Sequence, residues 1–566
     1  MMTLFAAAAF SLVLSAPLAQ VTSTFTAPQQ PPPRDPTAPI VKGTASIKGK
    51  VVTAQGSRPI RRVQMNLSSR DLTEPRTMST NSQGVFEFTE LPAGRYTLTA
   101  SRGGYLRLQF GQRHPGEAGR PIYLVDGQKM TNADFALPGA STMVGRITDE
   151  VGDPLPGASI FPMQWKYFRG RRRVVPVSGG GPFNRTDDTG GYRITGLEPG
   201  EYFVMATTRE AWNDENNPKE RIGFLPTYSG GTANPGSAQR VKVGLGQEVT
   251  VPDFAMVPGR VGSISGTVVS SSGTPLVGES VNMSQEFAGP GTSSSFGASG
   301  AKVGADGSFT IPRVSPGEYK LSVAVPASSG RPAEGAAATV LFTGEDLGGV
   351  MLLTSAGGTI AGRVVSDTGE PLPVEQKMRV SARAVDPGRT YSRYDADNGR
   401  VGDDMTFTLT GIIGANRLSI GPLPSRWALR SILHEGSDLI DSPIELEGGR
   451  RIEGVTVVLS KTLPHLRGTL TDPTGQPAEG TVLLFPDDPA KWTEESRLTR
   501  STRPGTDGMF EFSDLIPGDY LVAALEYVRT GEWSDPAFLE NLRAQATRVR
   551  VEEGTAPAVM ALKLKK

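Results

Sequence analysis

The sequence contains no cysteine. Disulfides, thiolate chemistry and a lipidated cysteine anchor are therefore excluded, and every folded unit must be held by its core alone. Histidine is almost as scarce: His114, His434 and His465 are the full set. They stand far apart, so no His-Glu-x-x-His helix and no zinc-ligand spacing exists. Net charge is absent too, with 58 basic and 58 acidic residues, and no global field draws the chain to nucleic acid. After the first twenty residues no apolar run is long enough to span a bilayer as a helix, which argues against stable membrane insertion. A Gly-x-Ser-x-Gly elbow, a P-loop and a dinucleotide fingerprint are also missing. The expectation is a non-enzyme with no catalytic residue, no metal and no cofactor.

What the chain has in quantity is glycine (68) and proline (45), against an aromatic share of 7%. That composition suits many tight turns between short strands. A length of 566 residues is too great for one core and fits four or five domains of about 100 residues each. The apolar run from Leu4 to Leu14, followed by small residues up to Ala19, reads as a secretory signal over 1–19. The Pro-rich stretch within 20–44 reads as an extended spacer.

One phrase then recurs: GVFEFTELPAGRYTLTA from Gly84, GYRITGLEPGEYFVMA from Gly191, GSFTIPRVSPGEYKLSVA from Gly307 and GMFEFSDLIPGDYLVAA from Gly508. Two short strands joined by a Pro-Gly corner, repeated along the chain, predict a series of similar β-domains. A tyrosine follows each corner, at Tyr96, Tyr202, Tyr319 and Tyr520. Its place predicts a ring on the core and a hydroxyl bonded to nearby backbone, as in the tyrosine corner of sandwich domains.

Each unit opens with an alternating strand around a shared glycine, as in Ile47, Gly49, Val51 and Ile264, Gly266, Val268. This predicts a half-buried antiparallel strand. A Gly-x-Pro turn follows at Gly56, Gly152, Gly273, Gly369 and Gly475, where a positive φ and then a fixed φ are needed. Counting the closing segments gives about seven short strands per unit, the profile of a Greek-key β-sandwich. The expected division is 45–139, 140–259, 260–356, 357–461 and 462–566. The fourth unit lacks the Pro-Gly-x-Tyr corner and is expected to keep the fold with a less regular hairpin. Short joints predict a stiff, elongated string. One short helix is expected after Ser534 or Asp535, with Pro536 in its first turn and Phe538, Leu539 and Leu542 on one side.

These motifs, from G-x-V-x-D-x-x-G-x-P through L-x-P-G-x-Y to a closing D-F-x-L strand, resemble the carboxypeptidase regulatory-like domain. That family has a transthyretin-like (prealbumin-like, Ig-like) sandwich grouped with carbohydrate-binding-like folds, and it is similar to B-type adhesin repeats. The resemblance implies non-catalytic modules, often in exported bacterial proteins, placing the chain in the periplasm, on the cell surface or outside. Adhesin-type repeats also raise a Lys-Asn amide in the first unit, from Lys48 or Lys50 with Glu87 and Asn132, which ordinary surface charge explains better.

The candidate binding residues lie where insertions break the second repeat. Trp165, Tyr167 and Arg171 fall within 163–183, and Trp212 and Tyr228 on the long polar stretch that follows. Aromatic rings beside guanidinium groups stack on sugar faces or grip acidic polymers. The favoured reading is an exported binding protein whose partner is a polysaccharide. The alternative is a structural spacer or interaction module that meets an envelope protein, with the same aromatics covering a joint between domains. Joint exposure of Trp165, Tyr167 and Trp212 distinguishes the two.

Overall fold

In the repeated phrase, the two strands on either side of the Pro-Gly corner do not pair with each other. In the computed structural model Val85–Leu91 pairs with the opening strand Ala45–Thr53, whereas Gly94–Ser101 pairs with Gln64–Ser69 in a different sheet. The corner carries the chain from one sheet of a sandwich to the other, and this replaces the expected hairpin. A left-handed residue makes the crossing: Glu90, Arg313 and Asp514 have φ of 55°, 58° and 55°, and Gly196 and Gly411 have 79° and 73°. A backbone turned that way just before the corner leaves the plane of its own sheet.

The structure describes residues 43–564 apart from short internal segments, the longest being 178–183, 326–332 and 386–397. The leader, the Pro-rich stretch and His114 lie outside the described residues. Within them the same pairing occurs five times. The opening strands Ala45–Thr53, Ser141–Thr148, Gly262–Val269, Gly358–Ser366 and Leu466–Thr471 each take the middle strand antiparallel on one side. On the other side each takes a closing strand, and that pairing is parallel. The opening strand is thus the centre of a mixed sheet, where alternation alone had suggested antiparallel pairing throughout. A second sheet, built around pairs such as Gln64–Ser69 with Gly94–Ser101, packs over it.

The shared glycine has a packing reason. Gly49, Gly145, Gly266, Gly362 and Gly468 lie directly across from Phe86, Tyr192, Phe309, Phe407 and Phe510. The ring of the middle strand lies over the glycine, so a Cβ at Gly49 would come within 2.9 Å of the Phe86 ring and one at Gly362 within 2.9 Å of the Phe407 ring. An aromatic laid over a strand glycine restores the packing that the missing side chain forfeits. Phe407 shows that the fourth repeat keeps this pair although its phrase reads differently.

The tyrosine corner is present in all four phrases. Tyr96, Tyr202, Tyr319 and Tyr520 donate their hydroxyls to the carbonyls of Pro92, Glu198, Ser315 and Ile516 at 2.6, 2.7, 2.9 and 2.8 Å. In the fourth repeat the strand register puts Asn416 in the tyrosine place, facing Ile444 as Tyr96 faces Ile122. The Asn416 side chain is buried and donates to the carbonyls of Ile413 and Gly414 at 2.9 and 3.0 Å. A shorter polar side chain closes a corner one residue shorter.

Buried apolar residues gather into one main cluster per repeat, with two smaller clusters added in the second and fifth repeats. The helix is Pro536–Arg543, capped by Asp535, whose carboxylate accepts from the Ala537 N–H at 2.9 Å. Leu539 and Leu542 bury its inner face. Lys48 and Glu87 approach to 3.5 Å with both side chains nearly half exposed, which is an ordinary surface ion pair.

The tandem sandwich class holds, and within the unit Lys42–Lys566 the first and fifth repeats touch. Arg120 of the first repeat donates to the Pro504 carbonyl and Glu479 of the fifth at 2.9 and 3.0 Å, and Arg503 donates back to the Gly111 carbonyl. Short joints restrict each step between neighbours, and four such steps bring the fifth repeat against the first.

Candidate functional site

The five sequence candidates fall on the second repeat, and the structure divides them. Trp165 and Tyr167 lie on Ser159–Phe168, paired antiparallel with Arg171–Pro176 so that Trp165 faces Val174 and Phe168 faces Arg171. The side chains of Tyr167 and Arg171 are outside the described residues. Alternation along Ser159–Phe168 sends Ile160 into the main core and Met163 into a second cluster on the opposite sheet face.

Trp165 belongs to that second cluster. Its ring is 6.4 Å from Phe203, which is 5.8 Å from Tyr228. Met163, Phe203, Met205 and Tyr228 are buried there and Trp165 is half-buried against them. Burial also raises the Tyr228 hydroxyl above its ordinary pKa, as expected for a phenol that must stay neutral out of water.

Trp212 sits elsewhere. Its strand Ala211–Asn213 pairs with Arg221–Phe224, which pairs with Pro258–Arg260. This small sheet lies where the chain leaves the second repeat for the third, and the Trp212 ring meets Phe224 edge-on at 5.0 Å against the main core. Trp165 and Tyr228 are therefore brought together through Phe203, and Trp212 packs in a different cluster. Trp165, Tyr228 and Trp212 do not form one exposed face.

The carboxylates in turns have a structural use. Asp187 accepts from Thr189 and Gly191 at 2.7 to 2.9 Å, and these bonds hold its carboxyl below the usual range. Asp472 does the same with Thr474 and Gln476. Asp395 lies outside the described residues. Among the described residues no group of three His, Cys, Asp or Glu could hold a metal ion, and no helix is long and apolar enough to cross a membrane. His465 faces Glu511 at 3.4 Å, on a carboxylate oxygen that Arg467 also reaches at 3.1 Å.

The polar residues that sequence reading passed over are those at the joints. Arg260 reaches Glu220 at 3.7 Å and Glu345 at 2.9 Å across the second and third repeats. Arg497 of the fifth repeat meets Asp441 of the fourth at 3.2 Å and donates to the Arg430 carbonyl at 3.0 Å, while Arg430 pairs with Glu553. Arg503 pairs with Glu117 across the fifth and first. Nothing in the local sequence marks these arginines, because their partners lie in other repeats.

Comparison with known proteins gives one family. The model of the carboxypeptidase regulatory-like domain matches residues 46–138. No curated protein matches the chain. Similar solved structures include the Bacillus anthracis TIE protein, at 11% identity over 75% of this chain and 73% of that one, with a TM-score of 0.15. The minor pilin GBS52 of Streptococcus agalactiae is 15% identical over 38% of this chain and 97% of its own, with a TM-score of 0.21. The shaft pilin SpaA of Lactobacillus rhamnosus GG is 11% identical over 39% of this chain and 99% of its own, at 0.19. Residues 46–138, with their mixed sheet, glycine–aromatic pair and tyrosine corner, match the carboxypeptidase regulatory-like domain, and four further sandwiches of the same strand pairing follow.

Proposed function

We propose that this chain is a non-catalytic, exported scaffold: β-sandwich modules, divided as 45–139, 140–259, 260–356, 357–461 and 462–566, that are locked to one another and meet a protein partner in the cell envelope. The observation that supports it is the use of the candidate aromatics. Trp165 and Tyr228 cover the outer face of one sheet, and Trp212 covers the passage to the third repeat. Rings engaged in that way leave little flat aromatic surface for a sugar. Export is supported by the apolar leader. Carbohydrate binding remains the second reading, favoured by the half-exposed edge of Trp165 on a strand pair that carries Arg171.

The test is retention of the chain from Gln20 onward on soluble and insoluble polysaccharides, with a Trp165→Ala/Trp212→Ala double variant alongside. The scaffold reading expects no retention of either protein and a lower melting temperature for the variant. Retention of the native chain alone, with unchanged melting, would establish the carbohydrate reading instead.

A further inference from the structure

The five closing strands share one register, and one position along it holds four different residue types. Ala136, Ala255, Leu353, Val458 and Lys563 pair with Val52, Thr148, Val269, Val365 and Thr471 of their opening strands. The position points away from the core. Alanine presents almost nothing there, and a lysine on a strand edge discourages further pairing. The two large apolar residues are Val458 and Leu353.

The fourth repeat covers its own. An extra strand, Ala428–His434, pairs antiparallel on the far side of the closing strand Arg451–Ser460, setting Ser431 opposite Val458 and Leu433 opposite Thr456. Val458 is 9% exposed. In the third repeat the sheet ends at the closing strand Leu347–Leu353, and no described strand lies beyond it. Leu353 is 63% exposed and Met351, two residues earlier, 68% exposed. The strand reads LGGVMLL, with no charge and no proline. Native proteins guard open edges with those residues because an unpaired row of N–H and C=O groups templates another strand.

We infer that the outer edge of Leu347–Leu353 is a docking site for an extended segment of a partner protein, which adds antiparallel as Ala428–His434 does in the fourth repeat. The deduction deepens the scaffold reading and rests on it. The chemistry of the occupant follows from that internal example: a strand without proline, with a bulky apolar residue beside Met351 as Leu433 stands beside Thr456. Backbone hydrogen bonds supply affinity and the side chains beside Met351 and Leu353 supply selectivity. The glycine bulge at the start of the strand is no bar, since Gly349 and Gly454 have φ of 76° and 75° and the fourth repeat pairs beyond Gly454 all the same. The same bulge disfavours a second copy as occupant. A twofold antiparallel pairing would lay the Leu353 end of one strand along the bulged end of the other and interrupt both ladders.

The experiment titrates the full chain with a synthetic peptide copying residues 426–436, followed by fluorescence anisotropy and by amide hydrogen exchange. The expected result is saturable binding with slowed exchange over 350–354, weakened about tenfold or more by Leu353→Lys, which sets a charge against the incoming strand. The Met351→Lys chain and a peptide carrying Leu433→Pro should show the same loss. Both lysines replace exposed residues, so unchanged melting temperatures confirm that folding is intact. Absence of saturable binding, protection only at 456–460, or binding indifferent to both lysines overturns the inference. Dimerisation of the chain abolished by Leu353→Lys also overturns it, in favour of a second copy. Failure here without glycan retention leaves the scaffold reading standing and removes only this edge.

Discussion

Arg503 in the fifth repeat and Glu117 in the first form an ion pair at 3.2 Å in which the side chains are 3% and 2% exposed. The guanidinium also donates to the Gly111 carbonyl at 2.6 Å, and the carboxylate accepts from the Arg113 N–H at 3.0 Å. Burial lowers the Arg503 pKa from its ordinary value, and the Glu117 charge opposes that shift. Two charges taken out of water hold together the first and last sandwiches of the chain.

Removing one of them should cost far more than removing both. Arg503→Met removes the guanidinium 3.2 Å from a buried carboxylate, and a loss of about 3–5 kcal/mol is expected from such a break. Glu117→Gln with Arg503→Met should recover much of that loss. Urea unfolding of the single and double variants measures the difference. A double variant that costs the sum of the two single changes would show that the pair is not coupled.

The corner side chains should contribute through hydrogen bonds and not through chemistry. Tyr520→Phe removes one hydroxyl bond, to the Ile516 carbonyl, and should cost about 0.5–1.5 kcal/mol. Asn416→Ala removes both side-chain bonds to the carbonyls of Ile413 and Gly414 in the fourth repeat and should cost about 1–3 kcal/mol. Differential scanning calorimetry of the two variants decides; a neutral Asn416→Ala would mean that the shorter corner closes without its side chain.

Burial pushes the hydroxyls of Tyr319 and Tyr520 up to about 12, from an ordinary value of 10.0, and those of Tyr192 and Tyr202 higher still. A group whose folded pKa is raised stabilises the fold fully below its unfolded pKa and loses that contribution as pH rises through the folded value. The chain should therefore hold its stability up to about pH 10 and lose it progressively toward pH 12. Alkaline unfolding followed by tyrosinate absorbance tests this, and titration of all tyrosines near pH 10 in the folded chain would refute it.

A methyl group at Gly266 would overlap the Val350 carbonyl oxygen, and at Gly362 the Val455 carbonyl oxygen. Gly266→Ala should destabilise the third repeat by about 1–3 kcal/mol or more, the cost of forcing an atom into a closed space. Limited proteolysis should show cleavage confined to that repeat, and resistance equal to the native chain would contradict the packing account.

Much of a single sandwich was legible from residue order, because the signals are local. The alternation of Ile47 and Val51, the positive φ required of Gly56, and the N-cap of Asp535 each depend on near neighbours in sequence. The fourth repeat was harder to read. Its missing proline and tyrosine suggested irregularity, whereas Phe407 and Asn416 keep the roles of the ring and the corner from positions visible only through strand register. The candidate site was legible as a cluster of unusual residues but not as a surface. Trp165 and Tyr228 stand far apart along the chain, and only folding shows that Phe203 lies between them.

Periodicity and turn chemistry by themselves determined that the chain is a succession of small β-sandwiches with one short helix, and composition determined that thiol chemistry has no part in it. Tertiary structure alone decided that the Pro-Gly corner crosses between sheets, that closing strands run parallel to opening strands, that Arg503 finds Glu117, and that Leu353 is left uncovered where Val458 is not. The reason is range. Backbone preference and alternation act over a few residues, whereas sheet order, buried ion pairs and open edges depend on which distant strands arrive side by side, and that is decided by the packing of whole sheets.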